Sequence, residues 1–164
     1  MDISIIPVSK NEKEILRNLL EKYEYEFTQY ENKDVNEYGL YENNIDNYWI
    51  DKNKYSFFIK VDSMLAGFIM IDNHCYIDVG TEYSIAEFFV MYKYKRLGVG
   101  KYSINYIFDK FKGKWSISYA QKNKPALEFW NKMVNNYTKG NYKKIENYFK
   151  FNDGLIRDLL IFKI

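Results

Sequence analysis

The sequence predicts a single α/β domain that spans residues 1–164, and three observations support this fold class. Segments rich in β-branched and aromatic residues alternate with segments in which apolar residues recur at helical spacing. Hydrophobic residues make up 47% of the 164 residues and aromatic residues 20%, which is enough to build a packed core. The length is typical of one domain, and neither an internal repeat nor a Pro/Gly/Ser-rich linker divides the chain.

A short strand and a long helix are predicted at the start of the chain. Residues 2–8 favour the strand. Ser9 is followed three residues later by Glu12, which is the pattern of a capping box. The apolar side chains that then recur at helical spacing are Ile15, Leu16, Leu19, Leu20, Tyr23 and Phe27. We expect the first four of these to be buried, which leaves Glu21, Glu24 and the acidic residues of 31–51 mostly facing solvent.

Strands dominate the predicted structure in the middle of the chain. A short helix around residues 45–50 precedes a hairpin whose strands are residues 55–61 and 66–72. Residues 74–80 are compatible with either a short strand or a loop. Residues 83–91 form a nearly continuous apolar run, which is typical of a strand buried on both faces.

Helices and strands alternate in the last part of the chain. One helix, which ends at Gly113, carries the apolar residues Ile104, Ile107, Phe108 and Phe111 on one face. Residues 114–120 alternate like a strand, and Asn123 is a good N-cap for the next helix. The apolar side of that helix carries Ala126, Phe129, Trp130, Met133 and Val134. Two strands around a turn at residues 152–154 close the chain.

The segment KYKRLGVGKYS, residues 93–103, has the composition of an anion-binding loop. Its glycines let backbone amides approach an anion, and the following helix adds the positive end of its dipole. The segment is not a Walker A loop, because Lys95 stands where that loop needs glycine. It is not a dinucleotide fingerprint either, since Ser103 replaces the third glycine. An ordinary strand-to-helix turn remains the alternative for the loop taken alone.

Two motifs resemble those of the GNAT superfamily of acetyl-CoA-dependent N-acetyltransferases. Residues 95–100, KRLGVG, match the pattern [Gln/Arg]-x-x-Gly-x-[Gly/Ala] except for lysine at the first position. Residues 123–130, NKPALEFW, resemble the pattern Asn-x-x-Ala-x-x-[Phe/Leu]-[Tyr/Trp]. The detailed resemblance covers residues 83–135. It implies a mixed, mostly antiparallel central sheet of about six or seven strands, flanked by helices, with a splayed fourth and fifth strand pair.

The resemblance also implies that acetyl-CoA binds as cosubstrate. In the family, the pyrophosphate lies on the glycine loop and the pantetheine arm pairs with the end of the fourth strand, here Phe88–Val90. Asn123 would face the pantetheine or act only as an N-cap. Trp130 stands where many relatives carry tyrosine, and its alternative role is that of a core aromatic. The cofactor-binding residues implied in this way are Phe88, Val90, Lys95, Arg96, Leu97, Gly98, Val99, Gly100, Lys101, Asn123 and Trp130.

Acetyl transfer to a primary amine needs a base, because such an amine is protonated at neutral pH. The resemblance points to Glu87 as the general base, and a structural hydrogen bond or ion pair is its alternative role. The Val90 amide would donate to the developing oxyanion. Tyr137 is the candidate for the acid that protonates the leaving thiolate, since the indole of Trp130 cannot do so. A thiol is also a good enough leaving group to depart without an acid.

Charge is distributed unevenly along the chain. Residues 21–51 contain nine acidic and two basic side chains, whereas residues 92–150 contain fourteen basic and three acidic ones. The cations suit the phosphates of coenzyme A. In the resemblance, residues 10–54 form the wall that faces the incoming amine, so we expect a cationic small molecule or peptide as acceptor. A solvated charged face without any role in recognition is the alternative.

Two other functions stay open. One is a catalytically weak GNAT-fold protein that binds acyl-CoA in a regulatory or partner-binding role. The other is a nucleic-acid-binding domain, suggested by the interleaved Lys and Tyr, which would make both motifs coincidental. One Cys and one His form neither a disulfide nor a zinc site, so we expect no metal. We expect a cytoplasmic enzyme without signal peptide, membrane or nucleic-acid partner, with a homodimer as an open option.

Overall fold

The computed structural model describes residues 1–150, apart from the side chain of Lys150, and residues 154–164. The strands are β1 (Ile3–Pro7), β2 (Tyr55–Val61), β3 (Met64–Asp72), β4 (Tyr83–Val90), β5 (Lys114–Ala120), β6 (Lys143–Lys150) and β7 (Ile156–Lys163). The helices are α1 (Lys13–Phe27), α2 (Val99–Lys110) and α3 (Lys124–Thr138). This order agrees with the sequence prediction. Residues 152 and 153 of the predicted final turn lie outside the described residues.

The strands of the described residues form one sheet in the order β1-β2-β3-β4-β5-β7-β6. β4 and β5 are parallel, and the other neighbouring strands are antiparallel. The connection from β4 to β5 runs through α2, because a tight hairpin cannot join parallel strands. The prediction of a mostly antiparallel sheet of six or seven strands flanked by helices is confirmed.

β4 and β5 diverge after a short contact. They pair at only two positions, Tyr83–Trp115 and Ser84–Ser116. From there β4 follows β3 to its end, while β5 follows β7. The register between β3 and β4 shifts after Met70, and such a bulge bends a strand and increases its twist. The predicted splayed pair is therefore confirmed, and a gap opens between the two strands.

The sheet separates two hydrophobic layers. α1 packs on one face through Leu16, Leu19, Leu20 and Tyr23, which recur at positions i, i+3, i+4 and i+7. α2 and α3 pack on the other face, where their buried residues are Val99, Ser103, Ile104, Ile107, Phe108, Trp130, Met133 and Val134. This packing on both faces holds the central strands in place where β4 and β5 diverge.

Three local predictions need correction. Ile15 is 40% exposed rather than buried, because the buried stripe of α1 begins one residue later, at Leu16. The turn of the β2–β3 hairpin is shorter than predicted: Asp62 and Ser63 adopt positive φ angles, and β3 already begins at Met64. The middle of β4 is only partly buried, because it borders the gap that β5 leaves open.

Further local predictions concern a helix end and two short segments. The helix that was predicted to end at Gly113 ends at Lys110, because Phe111 already has extended backbone angles. The helix expected around residues 45–50 is a 3₁₀ turn at Asp46–Trp49. Residues 74–80, for which a strand and a loop were both compatible, form a loop between β3 and β4. Within residues 1–150 and 154–164, no helix is both long and apolar enough to cross a membrane.

Candidate active site

The gap between β4 and β5 leads into a cleft of about 1540 Å³. Two groups of residues line it. We call the first group the loop side: it consists of the glycine loop and the start of α2, together with residues of α3. We call the second group the acid side, which consists of the carboxylates Glu24, Glu31, Asp72 and Glu87 and their neighbours. β4 borders both sides, so the predicted cofactor residues other than Leu97 and Val99 share one cavity with the predicted base.

The loop side combines backbone amides with cationic side chains. Arg96 and Gly98 have left-handed φ angles of 65° and 83°, which turn the chain into α2, and glycine adopts such angles without strain. The Tyr102 amide donates to the Gly98 carbonyl over 3.0 Å, whereas the amides before it have no acceptor within the helix. Lys95 and Lys101 line the cleft beside them, as does Arg96. This arrangement can hold a phosphate group.

The other residues of the glycine loop are apolar or lack a side chain, and they differ in their access to the cleft. Leu97 is half exposed, and Val99, the first residue of α2, is fully buried; both side chains are apolar, so only their amides are available to an anion. Gly100 lines the cleft. A Cβ atom there would lie 3.3 Å from the ring of Phe129 and 3.5 Å from that of Phe88. Glycine at this position therefore keeps the start of α2 accessible.

An aromatic cluster lies between β4 and α3. Phe88 stacks on Phe129 with ring centroids 5.4 Å apart, and the ring of Trp130 lies 5.5 Å from that of Phe88. Trp130 is buried, so the core role considered for it agrees with its position, although it also contributes to the wall of the cleft. These rings form an apolar wall beside the exposed edge of β4.

The edge of β4 that faces the gap offers unpaired backbone groups at Phe88 and Val90. The Met91 amide donates to the Ala66 carbonyl of β3 over 2.8 Å. In an antiparallel pair, hydrogen-bonded and non-hydrogen-bonded positions alternate, so Val90 and Phe88 are non-hydrogen-bonded positions toward β3. Their N–H and C=O groups point away from β3, toward the gap. An extended ligand could pair with them as an added strand.

Asn123 is the N-cap of α3, as one of its two predicted roles requires. Its side-chain oxygen accepts a hydrogen bond from the Ala126 amide over 3.1 Å, and Pro125 follows within the first turn. The residue is buried but contributes to the lining of the cleft. Its contact with a cofactor stays a prediction.

Glu87 lies on the acid side, on the face of β4 that carries α1. Its carboxylate accepts a hydrogen bond from the hydroxyl of Tyr23. Burial raises the pKa of Glu87 to about 7; the Tyr23 hydrogen bond acts against this, and the charges of Glu24, Glu31 and Asp72 add to it. A carboxylate that titrates near neutral pH in a cleft can take up a proton from an amine.

The acidic residues after Leu20 were expected mostly to face solvent, which is confirmed for Asp34, Glu37, Glu42, Asp46 and Asp51 but wrong for Glu24 and Glu31. Glu24 has a side chain only 13% exposed and binds Lys33 at 2.6 Å. Glu31 is 21% exposed and lies 3.3 Å from Arg157 of β7. The reason is that the end of α1 and the loop after it fold over the cleft, so these side chains point inward. The acid side is therefore partly buried and carries basic partners.

Lys95, the residue that departs from the family pattern, forms an ion pair with Glu26 of α1. Both side chains line the cleft where the loop side and the acid side meet. The ion pair of Lys95 thus connects the glycine loop with α1.

Tyr137 is not brought to the cleft. Its hydroxyl donates to Asp109 over 2.6 Å and accepts from Lys112 over 2.9 Å, and its ring packs on Phe108 of α2. The residue sits late in α3, on the side that faces α2. We therefore withdraw Tyr137 as the acid for the leaving thiolate.

Sequence reasoning missed three residues of the acid side. The sequence placed Tyr23 only on the apolar face of a helix and Asp72 only at the end of a strand, and it indicated no role for Arg157. Asp72 accepts hydrogen bonds from Ser84 and from the His74 amide. The sequence shows that these three residues carry polar groups, but nothing in it indicates that they lie together in the folded protein.

Comparison with known proteins agrees with this geometry. The acetyltransferase (GNAT) family profile matches residues 13–134. A search of curated protein sequences finds no match.

Many solved structures share the fold at low sequence identity. The chain is similar to Arabidopsis thaliana NAA60 in complex with acetyl-CoA (TM-score 0.62, 15% identity, 99% of each chain covered). It is also similar to an acetyltransferase from Thermus thermophilus (TM-score 0.68, 8% identity, 100% of this chain and 98% of the other). A third is the ribosomal-protein-S18-alanine N-acetyltransferase from Escherichia coli (TM-score 0.58, 12% identity, 99% and 94% covered).

The profile match covers most of the chain, including α1, β4, the glycine loop and most of α3. The resemblance read from residues 83–135 is confirmed, and so is the prediction of an acyltransferase. The chain belongs to the acetyltransferase (GNAT) family.

Proposed function

We propose that this protein is an N-acetyltransferase that transfers an acetyl group directly from acetyl-CoA to the primary amine of a cationic small molecule or peptide. The observation that carries the proposal is the position of Glu87: a carboxylate with a pKa near 7, in the same cleft as the free edge of β4 and the glycine loop. Residues from α1 to β7 line this cleft, which supports a single catalytic domain over residues 1–164.

The loop side fits acetyl-CoA as cosubstrate. The free amides at the start of α2 and the cations Arg96 and Lys101 suit its pyrophosphate and ribose phosphate, whereas Lys95 is paired with Glu26. The outward backbone groups of Phe88 and Val90 suit the amides of the pantetheine arm. The similar NAA60 structure was determined with acetyl-CoA, which supports the same choice of ligand here.

The acetyl group supplies an electrophilic thioester carbon, and the residues of this chain provide the rest. Through a water molecule, Glu87 accepts the proton that the ammonium group of the acceptor loses before its nitrogen attacks the thioester carbon. As the C–N bond forms and the amide is completed, the nitrogen releases its second proton to solvent. The Val90 amide donates to the thioester oxygen as negative charge develops on it. The C–S bond breaks and the sulfur leaves as a thiolate, which takes its proton from solvent, because a thiol is acidic enough to depart without a general acid.

The acid side supports a cationic acceptor. Glu24 and Glu31 have basic partners, whereas Asp72 and Glu87 are held by hydroxyl and amide groups. The balance of charge near the base is therefore negative, and a negative potential raises the local concentration of cationic amines. The aromatic side chains Tyr30, Tyr76 and Tyr148 line the same part of the cleft and can pack on the carbon chain of the acceptor.

The test has two parts, binding and turnover. Acetyl-CoA binding is measured by calorimetry with the wild type, Gly100→Ala and Gly100→Asp. Alanine adds only a Cβ atom close to the rings of Phe129 and Phe88, while aspartate also adds a negative charge. We therefore expect Gly100→Asp to bind acetyl-CoA at least about tenfold more weakly than Gly100→Ala. Equal affinities for the two variants would argue against a phosphate at this loop.

Turnover is measured as release of free coenzyme A with a panel of amines that includes polyamines, amino sugars, lysine-bearing peptides, neutral amines and acidic amino acids. We expect release to be fastest with cationic amines. Tight binding of acetyl-CoA without release by any amine would instead favour the non-catalytic acyl-CoA-binding function.

A further inference from the structure

We infer that Tyr23 of α1 is a positioning residue for Glu87: its hydroxyl holds the carboxylate in one orientation in the cleft and stabilises its charged form. This inference rests on the proposed function only for its catalytic consequence, because the hydrogen bond itself is a feature of the fold. Tyr23 and Glu87 are 64 residues apart in the chain, and they meet because α1 packs across β3 and β4.

The ring of Tyr23 is held firmly from several directions. It is 8% exposed, and its centroid lies 4.4 Å from Phe27, 5.8 Å from Phe68 and 6.0 Å from Phe89. These contacts come from α1 itself and from both strands below it. The hydroxyl therefore has a fixed place at the wall of the cleft, and it is the side-chain donor that the described residues provide to Glu87.

The surroundings explain why Glu87 needs such a donor. Glu24 lies on α1, Glu31 on the loop after it and Asp72 on β3, and the charge of each disfavours ionisation of Glu87. Tyr48 of the 3₁₀ turn before β2 also faces this group, and its own pKa is raised by burial and by Asp72 and Glu87. The cations nearby, Lys33 and Arg157, are bound to Glu24 and Glu31.

Tyr23 acts in the opposite sense from these carboxylates. Its hydrogen bond lowers the pKa of Glu87, while burial and the charge of Glu87 raise the pKa of Tyr23 well above its usual range. Tyr23 thus stays protonated and remains a donor at every pH at which the enzyme would work. Without the hydroxyl, burial and the three carboxylates would act on Glu87 unopposed, and the side chain would be free to change rotamer.

The test is Tyr23→Phe, which keeps the packed ring and removes only the hydroxyl. Tyr25→Phe is the matched control, since Tyr25 lies on the same helix, is 73% exposed and is not part of the cleft. The ionisation of Glu87 is followed by ¹³C NMR of glutamate carboxyl groups, with the resonance assigned by its loss in Glu87→Gln. We expect the titration midpoint of Glu87 to rise by about one pH unit in Tyr23→Phe and to equal the wild-type value in Tyr25→Phe.

Kinetics supply the second readout. In Tyr23→Phe the acidic limb of the pH profile of kcat/KM should shift to higher pH by the same amount as the NMR midpoint. The Kd of acetyl-CoA should stay at the wild-type value. In a Glu87→Gln background, adding Tyr23→Phe should change the rate no further. A purely structural tyrosine would lower stability and leave the pH profile in place.

The outcomes separate the inference from the proposed function. An unchanged NMR midpoint in a folded Tyr23→Phe variant would overturn the role of Tyr23. A raised midpoint in a protein that acetylates none of the amines tested would support that role and refute the proposed activity. A raised midpoint with an unshifted kinetic limb would support the role of Tyr23 and remove Glu87 as the base.

Discussion

The two sides of the cleft are built in different ways. On the loop side, the anion-binding part is made from consecutive residues, Lys95–Lys101, whose backbone amides and cations need only the local turn into α2. The acid side takes Glu24 and Glu31 from the end of α1 and the loop after it, Asp72 from β3 and Glu87 from β4. The comparison teaches that an anion site can be encoded by one segment, whereas the environment that tunes a base has to be assembled by packing.

The acid side should give the largest effect, because it carries the proposed chemistry. Replacing Glu87 with glutamine keeps the size and removes the proton acceptor, so kcat at pH 7 should fall about 100-fold or more. In the wild type, kcat/KM should rise with pH through about 7, because the base acts only when deprotonated and its pKa lies there. In the variant the loss should shrink as pH approaches the pKa of the amine itself.

The control for this prediction is Glu14→Gln, on the exposed outer part of α1, where the side chain pairs with Arg17 at the surface. We expect wild-type kinetics from it. A Glu87→Gln enzyme with the wild-type rate and pH profile would mean that this carboxylate is structural and would break the contrast between the two sides.

Charge reversal on the loop side should have the next largest effect. In the double variant Arg96→Glu/Lys101→Glu, two cations that flank the free amides become anions, so the Kd of acetyl-CoA should rise about tenfold or more. Calorimetry measures this directly. Lys163→Glu is the control, because it lies at the end of β7 that pairs with the start of β5, away from the glycine loop. Equal losses in both variants would indicate a nonspecific charge effect.

The effect of ionic strength on kcat/KM should depend on the charge of the acceptor amine, because the acid side attracts only cations. For a cationic amine, kcat/KM should fall several-fold between low and physiological ionic strength, because screening weakens attraction to the acid side. For a neutral amine of similar size the change should be small. The assay is run with saturating acetyl-CoA, so that weaker cofactor binding does not contribute. If an acidic amine proves the best acceptor, the carboxylates do not select the substrate.

The smallest effect is expected where the two sides meet. Lys95 and Glu26 form an ion pair whose side chains are both 36% exposed, and pairs of this kind contribute about 0–1 kcal/mol to stability. Replacing Lys95 with glutamine, which the family pattern allows, should leave the Kd of acetyl-CoA within about threefold and the free energy of unfolding within about 1 kcal/mol. A larger loss of affinity would show that Lys95 contacts the cofactor and not only α1.

Sequence alone determined the parts of the protein that depend on neighbours along the chain. The glycine loop, the N-cap at Asn123 and the order of strands and helices follow from residues a few positions apart, because turns, caps and helical periodicity are local. The family also followed from such segments, since its two motifs are each continuous.

Tertiary structure alone decided how the acid side is arranged. A helix turns by about 100° per residue, so a shift of the buried stripe by one position is enough to expose Ile15, and periodicity does not fix a helix that closely. The partnership of Tyr23 with Glu87 spans 64 residues and that of Glu31 with Arg157 spans 126. The late turn of α3 faces α2, which placed Tyr137 against Asp109 instead of in the cleft. Such contacts depend on how whole elements pack, because burial and charge act through space and not along the chain.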